Sequence, residues 1–137
     1  MKKILVSFSI LLVVFLVFFW TRDYSNSRQM TFGVTFSQSQ AEYLGLDWKK
    51  TYLDILDNLK VRNLRLLAYW PKIEKESDKF DFSDLDWQVN EAKKRNARII
   101  MVIGERLPHW PECHTPDWAK DLSPDKKQAQ VIEMLQA

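Results

Sequence analysis

Along the chain the period of the apolar positions changes repeatedly, and each change marks an expected element. An apolar run covers residues 4–20, opening at Ile4, closing at Trp20 and broken only by Ser7 and Ser9. Residues 31–37 then alternate weakly and are β-branched and aromatic, which predicts a first strand. A polar loop is expected over residues 38–46. After it Tyr52, Ile55, Leu56 and Leu59 recur at i, i+3, i+4 and i+7, one apolar stripe of a helix that Asp47 can cap.

Residues 63–69 return to period two. Leu64, Leu66 and Ala68 fall on one face, and Asn63, Arg65, Leu67 and Tyr69 on the other. The apolar face suits contact with covering helices. The other face carries an arginine in mid-strand, which is costly to bury without an acidic partner. Trp70 and Pro71 end this strand, and a charged loop follows to Lys79. Ser83 is placed to cap a second helix, with Asp84 and Asp86 in its first turn and Lys93, Lys94 and Arg95 in its last, complementing the helix dipole. Leu85, Val89 and Ala92 form its inner stripe, and Asn96 is a natural terminator.

Residues 99–103 are apolar without a break, as in a strand buried on both faces. Gly104 and Glu105 then open a loop holding three prolines, two tryptophans and two histidines before Leu122. Ser123 and Pro124 supply a cap and a first-turn proline for a third helix, whose inner face runs through Gln128, Val131, Ile132 and Leu135.

The loop lengths decide the topology. Helix-to-strand connections are very short, whereas strand-to-helix connections are long and rich in Trp, Pro, His and Gln. Long loops gathered at one end of a parallel sheet predict an α/β fold of the (β/α) barrel kind. No glycine-rich turn follows the first strand, where Ser37-Gln38-Ser39-Gln40 stands instead, which argues against a nucleotide-binding doubly wound sheet. Three βα units are expected in all, preceded by one transmembrane helix.

Charge narrows the partners. The chain carries 20 Lys and Arg against 18 Asp and Glu, and Lys2 and Lys3 precede the apolar run. Without those two lysines the balance is neutral, so no nucleic-acid footprint is expected. The lysines favour an amino terminus held inside and the remainder outside. Residues 1–28 are therefore expected to form an uncleaved signal anchor and tether, or alternatively a cleaved signal peptide, and residues 29–137 an exported domain. The membrane partner acts through Ile4 to Trp20. One cysteine, Cys113, excludes an internal disulfide framework.

Two segments carry a family resemblance. Asn63-Leu64-Arg65-Leu66-Leu67-Ala68-Tyr69-Trp70-Pro71-Lys72-Ile73-Glu74 resembles the second strand of clan A glycoside hydrolases. Lys79-Phe80-Asp81-Phe82-Ser83-Asp84-Leu85-Asp86 resembles the segment that leads into their next helix. The pattern is similar to cellulase-like family 5 and β-galactosidase-like family 42 sequences, and it covers nearly everything after Thr31. The resemblance implies a (β/α)8 barrel that cleaves glycosidic bonds of an oligo- or polysaccharide with two carboxylates. In that clan the acid/base follows an asparagine at the end of the fourth strand and the nucleophile ends the seventh, so both positions lie beyond this chain. The expectation is a fragment of a membrane-anchored extracytoplasmic hydrolase, inactive alone. Two rivals stand beside it, a surface barrel that binds sugar without cleaving it and a small α/β interaction domain.

Five residues are candidates for substrate binding or active-site support. The resemblance gives Arg65 the role of the arginine beside the nucleophile, against a structural ion pair inside the barrel. Glu105 shares parity with Met101 and Ile103, which would carry it along an inward-facing set to the rim as a hydroxyl acceptor or a partner of Arg65; pairing with Arg106 is the plainer alternative. Trp70 and Trp110 sit at loop entrances, where an indole face can stack on a sugar or simply pack. His109 can hydrogen-bond to substrate hydroxyls or shape the loop. His109, Cys113 and His114 together lack a fourth ligand at supporting spacing, so no metal and no cofactor is expected.

Overall fold

In the computed structural model, residues 11–18, 30–108 and 111–137 are described. The chain divides into two compact units, residues 1–30 and residues 31–137. In the first, residues 11–18 are helical, and every one of their apolar side chains is at least half exposed, from Leu12 at 52% to Leu11 at 70%. Among the described residues no helix is long and apolar enough to cross a membrane. The rest of the expected span, residues 4–10 and 19–20, lies outside the described residues.

The second unit is built on a three-stranded parallel sheet in the order β1-β2-β3. Strand β1 is Val34–Phe36, β2 is Asn63–Ala68 and β3 is Arg98–Ile103. The register aligns Thr35 with Arg65 and Arg65 with Ile100. Strands β1 and β2 are brought close at their start by Gly33, where an added Cβ would lie 2.8 Å from the Asn63 carbonyl oxygen.

Helices connect the strands as expected, with two additions. Residues 38–43 are not a loop: Gln38–Tyr43 form a short helix, α1, capped by the Ser37 hydroxyl, which accepts from the Gln40 amide at 3.0 Å. Ala41 is the one apolar side chain that this helix buries, so no stripe announced it. Helix α2, Trp48–Asp57, begins at Asp47, whose carboxylate accepts from the amides of Lys49 and Lys50. Strand β2 passes directly into a single helical turn, α3, Trp70–Ile73. Helix α4, Ser83–Lys94, starts with Ser83 already inside it. The side chain that accepts from an amide there is not Ser83 but Asp81, from the Ser83 N–H at 3.0 Å. Helix α5 is Pro124–Gln136, preceded by a 3-10 turn at Asp117–Ala119. Lys60 and Asn96 take left-handed φ values of 52° and 54° in the turns after α2 and α4.

The core lies between the sheet and the helices. Phe36, Leu64 and Leu66 pack there against Tyr52 and Leu56 of α2 and Ala92 of α4, all nearly or wholly removed from water. Fully burying a side chain such as Leu66 stabilises the fold by roughly 1.5–3 kcal/mol. The Tyr52 hydroxyl, within this layer, donates to the Gln88 carbonyl at 2.9 Å, and burial raises its pKa. Further along the strands Ala68, Trp70 and Ile73 join Ala119 and Met134 in a second cluster. At the helix C-termini Arg95 ties α2 to α4: it donates to Asp57 at 2.5 and 2.7 Å and to Glu91 at 2.6 Å.

Candidate functional site

The alternation of β2 sends Arg65, Leu67 and Tyr69 away from the helices, onto the open face of the sheet. Arg65 is exposed, and its Nε donates to Thr35 Oγ1 on β1 at 2.8 Å. It makes no ion pair among the described residues, so neither Glu105 nor a structural carboxylate holds it. Around it Gly33, Thr35, Asn63, Arg98 and Ile100 line a hollow of about 570 Å³. Ile100 is 68% exposed there, an apolar strand residue with nothing packed over it.

Towards the C-terminal ends of the strands the same face is closed by Leu67, Tyr69, Val102 and Leu107. The Tyr69 hydroxyl lies 2.7 Å from Ser37 Oγ, and the ring meets His114 edge-on at 4.8 Å between centroids. Burial raises the Tyr69 pKa, opposed by its bonds to serine hydroxyls. Residues from the loops after β1, β2 and β3 thus meet at one end of the sheet. Tyr69 was readable from its parity with Arg65; Ser37 and His114 were not, because only the fold brings their loops together.

Two candidates are displaced by the structure. Trp70 is fully buried, donates from Nε1 to Glu74 Oε2 at 2.6 Å and packs edge-on against Trp118. It cannot offer an indole face to a sugar; it shares parity with Leu64, Leu66 and Ala68 and so faces the helices. Met101 and Ile103 also pack on the helix side, so the parity that was to carry Glu105 inward points the other way. Gly104, at φ 140°, then breaks the alternation altogether. Glu105 Oε1 instead accepts from Thr115 Oγ1 at 2.8 Å and from Lys127 of α5 at 3.2 Å. The Thr115 bond and the Lys127 ammonium hold its carboxyl below the ordinary range. It fastens the long third loop to α5, rather than to Arg65 or Arg106.

That loop is pinned at its base by a bridge between Arg106 and Cys113 and by the Leu107 N–H to Glu112 carbonyl bond. His109 and Trp110, at its tip, lie outside the described residues. Cys113 is a free, exposed thiol. Among the described residues no three His, Cys, Asp or Glu side chains are grouped to hold a metal ion.

Glu74, the last residue of the resembling strand segment, is buried and has a structural place. Its Oε1 accepts from the Asp78 amide at 2.9 Å, and its carbonyl accepts from Trp118 Nε1 at 3.0 Å. The loops after β2 and β3 are thereby tied together.

Comparison with solved structures finds a likeness of fold. The chain is similar to an exo-beta-1,4-mannosidase, Op5Man5, from Opitutaceae bacterium strain TAV5, with a TM-score of 0.57 and 18% identity. The likeness covers 82% of this chain and 21% of that one. The two share a fold. The chain thus spans about a fifth of the enzyme it matches, and its sheet is consistent with a partial TIM-barrel unit. No protein-family model matches the chain, and no curated protein matches it by sequence.

Proposed function

We propose that this chain supplies the first three βα units of a glycoside hydrolase-like barrel that takes an oligo- or polysaccharide. The observation that carries the reading is the sheet itself: β1, β2 and β3 run parallel in sequence order, helices cover one face, and Arg65 stands on the other. The fold shared with an exo-beta-1,4-mannosidase supports it. Arg65, bonded among the described residues only to Thr35, is left with guanidinium donors for a carboxylate or a sugar hydroxyl. In this reading the two carboxylates of hydrolysis belong to later strands, and Arg65 keeps the nucleophile ionised. Ile4 to Trp20 anchor the domain on the outside of the cell membrane, a reading supported by Lys2 and Lys3 before the apolar run.

The test is to read the message past the codon for Ala137. The expected result is an Asn-Glu ending a fourth strand and a Glu ending a seventh. A stop codon directly after Ala137 would overturn hydrolysis by this product and leave a sugar-binding role.

A further inference from the structure

The end of the sheet at which the chain enters the domain is basic. The Phe32 carbonyl accepts from the Asn63 side chain, and the Arg98 amide donates to the Arg62 carbonyl, so the starts of β1, β2 and β3 lie side by side. Around them stand Lys60 and Arg62 in the turn before β2, Lys93, Lys94 and Arg95 at the end of α4, and Arg98 at the start of β3. Among the described residues the carboxylates on these turns and the helix ends that feed them are Asp54, Asp57 and Glu91, with Glu133 in the last turn of α5. Asp57 and Glu91 are taken up by Arg95 and Lys94, and Asp54 and Glu133 accept from Asn58 and Gln130. Lys60, Lys93 and Arg98 are exposed and make no ion pair among the described residues.

A helix dipole accounts for Lys93, in the last turn of α4, and Arg62 has a structural task, donating to the Leu56 carbonyl at 2.7 Å. Neither reason reaches Lys60 or Arg98, which lie outside helices. Two apolar side chains are exposed at the same end, Phe32 at 80% and Leu59 at 70%. Cations interleaved with exposed aromatic and aliphatic groups match the interface of an anionic bilayer, headgroups meeting the cations and the acyl boundary meeting the apolar groups. At the opposite end of the sheet cations and carboxylates are mixed, Lys49 and Lys50 beside Asp47, and Glu42 and Glu76 paired with Lys72 and Lys79.

We infer that this basic end is a docking surface for a membrane carrying anionic lipid headgroups, which turns the loops at the C-terminal ends of the strands towards solvent. The inference rests on the anchoring proposed above. Residues 21–30, which join the apolar run to the domain, reach at most about 35 Å when fully extended, so an anchored domain stays close to the lipid.

The experiment places the full chain in nanodiscs of phosphatidylcholine alone and of phosphatidylcholine mixed with phosphatidylglycerol, and follows amide hydrogen exchange. Slower exchange around Leu59 to Asn63 and around Asn96 to Ile99 is expected in the anionic discs only, and high salt should abolish it. Each cation near an anionic surface contributes roughly fivefold to residence there. The triple variant Lys60→Glu, Lys93→Glu, Arg98→Glu should therefore exchange on anionic discs as the parent does on neutral ones. A second variant, Lys60→Gln with Arg98→Gln, avoids new carboxylates and should lose part of the protection while its circular dichroism is unchanged. Equal protection on both lipids, or protection that survives the triple variant, overturns the docking surface. A chain that enters neither disc overturns the anchor and the docking surface with it.

Discussion

The two faces of the sheet have unlike chemistry. On the helix side Leu64, Leu66 and Phe36 meet Tyr52, Leu56 and Ala92 with almost no exposure. On the open side, one residue along each strand, Thr35, Arg65 and Ile100 stand over a hollow. The same strands therefore carry one side closed by packing and one side with a hollow open to solvent. Substitutions on the first should cost folding energy, and on the second, function.

The largest expected effect is on the packed side. Leu66→Ala should lower unfolding free energy by about 2–5 kcal/mol, read from a denaturant titration, because its neighbours relax only partly around the space left. A smaller loss would mean that the helix side is looser than its burial indicates. Gly33→Ala comes next. Its methyl group would meet the Asn63 carbonyl oxygen at the entry to β1, and over-packing of this kind typically costs about 1–3 kcal/mol. The same titration, with exchange rates of the β1 amides, would locate the damage.

The ion network at the helix ends gives a smaller, pH-dependent effect. The hydrogen bond from Arg95 lowers the Asp57 pKa, and bonds from Lys94 and then Arg95 lower that of Glu91. Carboxyl groups lowered in the folded state add stability above their unfolded pKa, roughly 4, and lose it as pH falls through their folded values. The denaturant midpoint should therefore fall in acid, and Arg95→Gln should make that fall shallower. An unchanged slope would show that the network contributes nothing measurable. The smallest stability effect should belong to Arg65→Ala, within about 0.5 kcal/mol, since the side chain is exposed and among the described residues holds only Thr35. Its effect should appear in sugar binding or turnover of the full-length protein; a large loss of stability instead would make Arg65 a structural residue.

The division between faces also explains what the sequence made legible. The stripe through Tyr52, Ile55 and Leu56 and the alternation of Leu64, Leu66 and Ala68 are consequences of burial, and burial leaves a period. Helix α1 buries almost nothing apolar, so it left none; its only trace was the spacing of Ser37 and Gln40, a cap followed three residues later by glutamine. Trp70 was misplaced by its position at a loop entrance, although its parity with Leu66 already put it among the helices. Glu105 was misplaced because Met101 and Ile103, whose parity it shares, face the helices, and because the alternation ends at Gly104, whose φ no other residue readily adopts. The meeting of Ser37, Tyr69 and His114 depends on three loops converging, and no local pattern encodes that.

The strand order has a bearing on how the domain is made. Each strand pairs with the one synthesised immediately before it, and α4 packs beside α2 with no later segment needed between them. A nascent chain emerging from its amino end can therefore add one βα unit at a time, each docking on a partner already outside the ribosome or translocon. At each stage the search is confined to one crossover, 30 residues from Val34 to Leu64 and 35 from Leu64 to Ile99, rather than to the whole chain.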